Sequence, residues 1–140
     1  MIYYVKGGDL LKSNAQVLVN PVNTVGVMGK GLALAFRELY PEMYNNYVTL
    51  CKNGFHTGQL FIWRGKVLLF PTKEHWRNSS KCEYIEQGLK KFVANYARLG
   101  INSIAFPKLG CGCGGLKWSE VKPLMEQYLG QLPITVYIYV

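Results

Sequence analysis

Acidic side chains are scarce: eight Asp and Glu stand against sixteen Lys and Arg in 140 residues, giving a formal charge of +8, and histidine occurs twice. That imbalance favours polyanionic partners such as nucleic acid or nucleotide phosphates, although a basic surface also serves solubility alone. No apolar run approaches the roughly 20 residues that a membrane span requires, so no membrane partner is expected. Internal repeats, low-complexity tracts and linkers are missing, as is the Cys-x-x-Cys spacing of dithiol oxidoreductases. The opening "MIYYVKGGDLLKSN" lacks the basic, apolar and small-residue regions of a secretory signal. A cytoplasmic chain is therefore expected, with Cys51, Cys82, Cys111 and Cys113 reduced. What is present is an apolar content of 49% with ten Tyr, six Phe and three Trp, which excludes disorder. The length suits one domain over 1–140, able to bury a core without disulfide or metal staples.

Hydrophobic patterning alternates between strand and helix, which implies a layered α/β domain. "MIYYVKG" and "AQVLVN" (15–20) read as strands, and "LALAFRELY" as a helix that Pro41 interrupts before "EMYNNYVTLCKN" resumes it. "QLFIW" and "KVLLF" flank Arg64 and Gly65 as a hairpin. From Ser80 to Leu99, Ile85, Leu89, Phe92, Tyr96 and Leu99 recur at helical spacing, with Gly100 as a left-handed cap. "INSIAF" is then a buried strand, "WSEVKPLMEQYL" a helix ending at Gly130, and "ITVYIYV" the last strand.

Two loops share one plan. "NTVGVMGKG" and "LGCGCGG" each follow a buried strand, are rich in glycine and lead into a helix. Glycine lets consecutive backbone N–H groups converge on an anion beside a helix N-terminus, and two such loops at neighbouring strand ends could grip a diphosphate. Each loop alone could equally be a tight turn. Cys111 and Cys113 supply two thiols where structural zinc needs four ligands, so no metal is expected and both read as small packed side chains.

"FPTKEHWRNSSK" (70–81) places Lys73, His75, Trp76 and Arg77 together after a strand. A lysine partly desolvated at a strand end could act as nucleophile or base, whereas a surface lysine stays charged and idle. Trp76 with Arg77, Lys81, Arg64 and Lys66 would make an aromatic and basic patch for a nucleic acid, unless Trp76 lies in the core. Asn20 and Asn23, at a strand tip, could bind sugar hydroxyls or simply make a turn. Asp9 is either the N-cap of a short helix or a carboxylate that accepts from an exocyclic amine.

Together "GGDLL", "VLVNPVNTVGVMGKGLALAF" and "IAFPKLGCGCGGLKW" resemble the macrodomain family, the ADP-ribose-binding fold, over essentially the whole chain. "NTVGVMGKG", "FPTKEHWR" and "LGCGCGGLKW" are most similar to macrodomains of DarG-type antitoxins, which remove ADP-ribose from thymidine in DNA and in which a toxin-binding domain follows. The resemblance implies a three-layer α/β/α fold around a mixed, mostly parallel six-stranded sheet. It implies that Asp9 and Leu10 meet adenine, and that Asn20 and Asn23 line the distal ribose. Val27, Met28, Gly29, Lys30 and Gly31 would flank diphosphate and ribose, with Leu109, Gly110, Cys111, Gly112, Cys113 and Gly114 on the phosphates.

By the same resemblance Lys73, assisted by Asn23, is the catalytic residue, and His75, Trp76 and Arg77 meet the nucleic acid. A related lysine-using subgroup, which removes ADP-ribose from glutamate and also from DNA, has Asp in the second loop where this chain has Gly114; the DarG pattern has glycine there. The expected activity is removal of ADP-ribose from thymine in single-stranded DNA, by a monomer without cofactor. ADP-ribose binding without turnover, or an ADP-ribose 1″-phosphate phosphatase, is the alternative.

Overall fold

A computed structural model describes residues 1–140. Its elements run β1 (Ile2–Val5), a 3-10 turn (Leu10–Lys12), β2 (Val17–Val22), α1 (Gly31–Leu39), α2 (Pro41–Lys52), β3 (Phe61–Trp63), β4 (Val67–Pro71), α3 (Cys82–Asn95), β5 (Ser103–Phe106), α4 (Trp118–Leu129) and β6 (Thr135–Tyr139). The six strands form one sheet in the order β1-β6-β5-β2-β4-β3. Only β3 runs antiparallel to its neighbour.

Period-two alternation of apolar residues divides the interior between the faces of this sheet. Val17, Val19, Leu68, Phe70, Ile104 and Phe106 pack on one side with Ile85, Leu89 and Phe92 of α3 and Val121, Met125 and Leu129 of α4. Leu18, Val67, Leu69 and Ala105 pack on the other with Phe36 of α1 and Met43 and Tyr47 of α2. The result is the expected α/β/α sandwich with both faces covered.

Local chemistry sets most of the boundaries. Arg64 and Gly65 have φ of 52° and 65°, both left-handed, in the turn that Lys66 N closes by donating to Trp63 O at 2.9 Å, and three residues separate the paired Trp63 and Val67. Regular α3 stops at Asn95, short of the expected Leu99. Turns continue to Gly100, where Ile101 N donates to Tyr96 O at 3.0 Å and Gly100 N to Ala97 O at 3.0 Å, the bonds of a Schellman cap. Strand β2 in turn outlasts the expected Asn20 and carries Pro21. It can do so because the β2–β5 ladder covers only Val17 and Leu18, while Pro21 pairs with Phe70 of β4 alone. Pro21 thus has one free flank, the edge-like position where a missing N–H is tolerated.

Helix α3 approaches the sheet at Gly88, where a Cβ would lie 2.3 Å from Phe70 Cζ and 2.5 Å from its Cε1. Phe70 is fully buried and cannot swing away. Gly88→Ala should therefore lower unfolding free energy by about 2 kcal/mol, despite alanine's better helix propensity. Urea unfolding followed by tryptophan fluorescence checks this; an unchanged or raised midpoint would contradict the close packing.

Candidate functional site

After β2 the chain builds β3 and β4 on one side of it and then crosses back through α3 to lay β5 on the other, so the strand order reverses between β2 and β5. Crevices form outside the carboxyl ends of parallel strands at such a reversal. Here the early end of the β2–β5 ladder opens one, and Pro21, Val22, Thr72 and Pro107 form its floor. The cavity measures about 750 Å³, within the roughly 300–1,000 Å³ usual for small-molecule sites.

The first glycine loop forms one wall, and the Asn23 carboxamide is its template. Asn23 Oδ1 accepts from Val25 N at 3.1 Å, Val27 N at 3.3 Å and the Tyr47 hydroxyl at 2.6 Å, and Nδ2 donates to Val27 O at 2.7 Å. Tyr47 is fully buried, and that burial pushes its phenol well above the ordinary range, so the hydroxyl stays a donor. Beyond this loop Gly31, Leu32 and Ala33 line the cavity. They open α1, and the first N–H groups of a helix have no intrahelical acceptor, so the positive end of the helix faces the space.

The second loop forms the opposite wall. Gly110 has φ +72° and its carbonyl accepts from Leu116 N at 2.9 Å. Gly114 is held by Ser80 N, which donates to its carbonyl at 2.9 Å. A Cβ on Gly114 would lie 2.3 Å from Ser80 Oγ and 2.4 Å from Gly110 O, whereas one on Gly112 would meet nothing within 4 Å. Glycine at 114 is thus a steric requirement of the loop, and a carboxylate there would need a different backbone.

Lys73 lies between the walls, directly beyond β4, only 8% exposed. Its Nζ donates to Trp76 O at 3.0 Å and to Cys113 O at 3.2 Å. Trp76 lines the cavity and is 42% exposed as a residue, so the core alternative for it is set aside. His75 lies 5.2 Å from that ring, and the Arg77 guanidinium lies 4.6 Å from its centroid.

Of the residues expected at a site, the cavity gathers Asn23, Val27, Gly29, Lys30, Gly31, Lys73, Trp76, Gly110, Gly112, Cys113 and Gly114. His75 and Arg77 flank Trp76 without lining it. Leu10, Met28 and Leu109 are buried core. Asp9 is exposed and caps the 3-10 turn, its Oδ1 accepting from Leu11 N at 3.0 Å, the capping option left open above. Asn20 is fully buried, with Nδ2 3.8 Å from Met28 Sδ and Oδ1 without a partner. Cys111 packs against the core as expected, and burial pushes its thiol up, but Cys113 is exposed on the cavity. Arg64 and Lys66 depart from the expected patch beside Trp76: they sit at the hairpin, the opposite end of β4, where Arg64 stacks on Trp63 and pairs with Glu42.

Leu32, Ala33, Lys108 and Tyr139 also line the cavity and were not anticipated. For Leu32 and Ala33 the signal was available, since they open the helix that follows a glycine loop. Tyr139 is brought in by sheet order, with its ring 3.1 Å from where a Gly8 Cβ would lie.

A family model described as Macro domain matches residues 19–125. The chain is 44% identical over 148 positions to a DNA ADP-ribosyl glycohydrolase of Thermus aquaticus, covering 99% of this chain and 41% of that protein. It matches the solved macrodomain of Thermus aquaticus DarG with a TM-score of 0.92 and 42% identity, covering 100% of this chain and 98% of that one. It matches Thermosipho africanus DarTG in complex with ADP-ribose at a TM-score of 0.91 and 42% identity, covering 99% of this chain and 41% of that one. The chain thus spans about two-fifths of the length of the curated relatives it matches, 38% to 41%.

The contrast between the two loop glycines is measurable. Gly114→Ala should lower unfolding free energy by about 2 kcal/mol or more, because backbone and a buried side chain must both retreat, while Gly112→Ala should stay within about 0.5 kcal/mol. Equal thermal midpoints for the two variants would contradict the steric account of Gly114.

Proposed function

The chain belongs to the macrodomain family, and on that premise we propose that it is a hydrolase that removes ADP-ribose from a DNA base, thymine in single-stranded DNA, with Lys73 acting at the anomeric carbon. The observation that carries this reading is a nearly buried lysine amine set between two glycine loops, inside a cavity large enough for a dinucleotide-like ligand. The name of the Thermus aquaticus relative, a DNA ADP-ribosyl glycohydrolase, supports it, as does the ADP-ribose held by Thermosipho africanus DarTG.

Converging backbone N–H groups of both loops and the amino end of α1 receive the diphosphate, with Lys30 and Lys108 beside them. That grip sets the distal ribose against Lys73, and fixed placement of reacting groups is itself a large part of the barrier reduction. Breaking an N-glycosidic bond builds positive charge on the anomeric carbon. A deprotonated Lys73 amine can capture that carbon or assist water in reaching it, water supplying a hydroxyl to the sugar and a proton to the departing base. Trp76, with Arg77 on its ring, offers a stacking surface for an exposed base, which single-stranded DNA presents at least cost. The scheme calls for neither metal nor cofactor, and one copy suffices.

Binding of ADP-ribose without turnover is the second reading. It draws on the two carbonyl contacts of Lys73, which a purely structural lysine would also make. Arginine separates the two, because it keeps the charge and donors yet does not give up a proton. Both Lys73→Arg and Lys73→Ala should reduce ADP-ribose release from an ADP-ribosylated thymidine oligonucleotide at least about 100-fold. Lys73→Arg should keep free ADP-ribose affinity within about threefold of wild type, a change below 1 kcal/mol. Tight ADP-ribose binding by wild type with no release from the oligonucleotide would overturn the hydrolase reading. Phosphate release from ADP-ribose 1″-phosphate, undiminished in Lys73→Ala, would favour the phosphatase.

A further inference from the structure

We infer that Val25 and Val27 form one jaw, and Trp76 the other, of a cleft at the cavity mouth that holds the leaving nucleobase and so selects base-linked over amino-acid-linked ADP-ribose. The inference rests on the ADP-ribose reading of the cavity but not on Lys73 chemistry.

These three are among the few large apolar side chains the chain leaves in the open, at 46%, 37% and 42% exposure. Val27 and Trp76 line the same cavity as Lys73, and Val25, two residues earlier in the same loop, is exposed without lining it. The two segments are fastened together: the Thr24 N–H and hydroxyl both donate to Glu74 O, each at 2.9 Å. The valine loop is also stiff. Asn23 templates it from within, and the Tyr44 hydroxyl donates to Gly26 O at 3.3 Å from below. Rigid apolar groups held in water beside a cavity are the usual mark of a ligand face.

Charge on this rim narrows the occupant. Arg77 lies over Trp76, and Lys81 is exposed a few residues on. The one acid of the turn, Glu74, is turned away to accept from the Tyr84 hydroxyl. A planar, neutral base flanked by phosphates satisfies both features, with its faces on the apolar jaws and its phosphates toward Arg77 and Lys81. A glutamate or arginine side chain linked to ADP-ribose offers the jaws no planar apolar face of that size.

The test uses equilibrium binding in a Lys73→Arg background, so that no turnover interferes. Three probes are compared: an ADP-ribosylated thymidine oligonucleotide, an ADP-ribosylated glutamate peptide and free ADP-ribose. The oligonucleotide should bind at least about tenfold tighter than the other two. Val25→Ser, outside the cavity lining, should weaken it about five- to tenfold while leaving free ADP-ribose within twofold, and Val27→Ser, which also lines the cavity, should weaken the oligonucleotide at least about fivefold more than free ADP-ribose. Both positions are exposed, and an unchanged thermal midpoint confirms folding. Parallel loss for all three probes, or no loss for any, would overturn the cleft. The two readings fail separately: absent release by wild type sinks the hydrolase but not the cleft, whereas turnover on DNA with equal affinity for oligonucleotide and peptide sinks the cleft alone.

Discussion

Two main-chain carbonyls, from Trp76 and Cys113, accept from the Lys73 side-chain nitrogen, and this contact closes the ring of segments around the cavity. One carbonyl belongs to the turn beyond β4 and the other to the loop beyond β5. Two such hydrogen bonds from one nearly buried nitrogen help to hold these segments in register, each contributing about 1 kcal/mol net. Thr24 ties the same turn to the loop beyond β2, and Ser80 ties the start of α3 to Gly114. The residue best placed for chemistry is therefore also the one that assembles its surroundings. Cavity shape and amine position depend on each other.

The fold was readable because its signals are local and agree. Alternating apolar residues marked the strands, a 3.6-residue period marked α3, and glycines marked the turns. The misjudged boundaries sit where tertiary context overrides local rules. The strand expected to end at Asn20 passes on through Pro21 because β5 has already diverged on that side. The same divergence opens the cavity, so the local anomaly and the site have one cause. Tyr139 could not be foreseen, since only the strand order brings it to the cavity, whereas Lys108 immediately precedes the second glycine loop and comes with it.

Gly114 carries a second constraint besides the one the resemblance points to. The family comparison presented it as a missing carboxylate; the structure adds that Gly110 O and Ser80 Oγ leave no room for a side chain. The two cysteines of that loop divide, Cys111 packing against the core and Cys113 standing exposed on the cavity. The excess of positive charge acquires a similar physical basis. The only ion pair joins Arg64 and Glu42, whereas Glu74, Glu86 and Glu126 accept from tyrosine hydroxyls. Hydroxyls neutralise no cations, so the basic surface stays available to a polyanion.

The position of the Lys73 amine relative to a bound ligand decides most between a catalytic and a purely structural lysine. A crystal structure with ADP-ribose in the cavity should place Nζ within about 3.5 Å of the anomeric carbon of the distal ribose, the separation of a near-attack arrangement. An amine more than about 6 Å from that carbon, with both carbonyl contacts intact and the loops closed on the diphosphate, would contradict a catalytic role for Lys73.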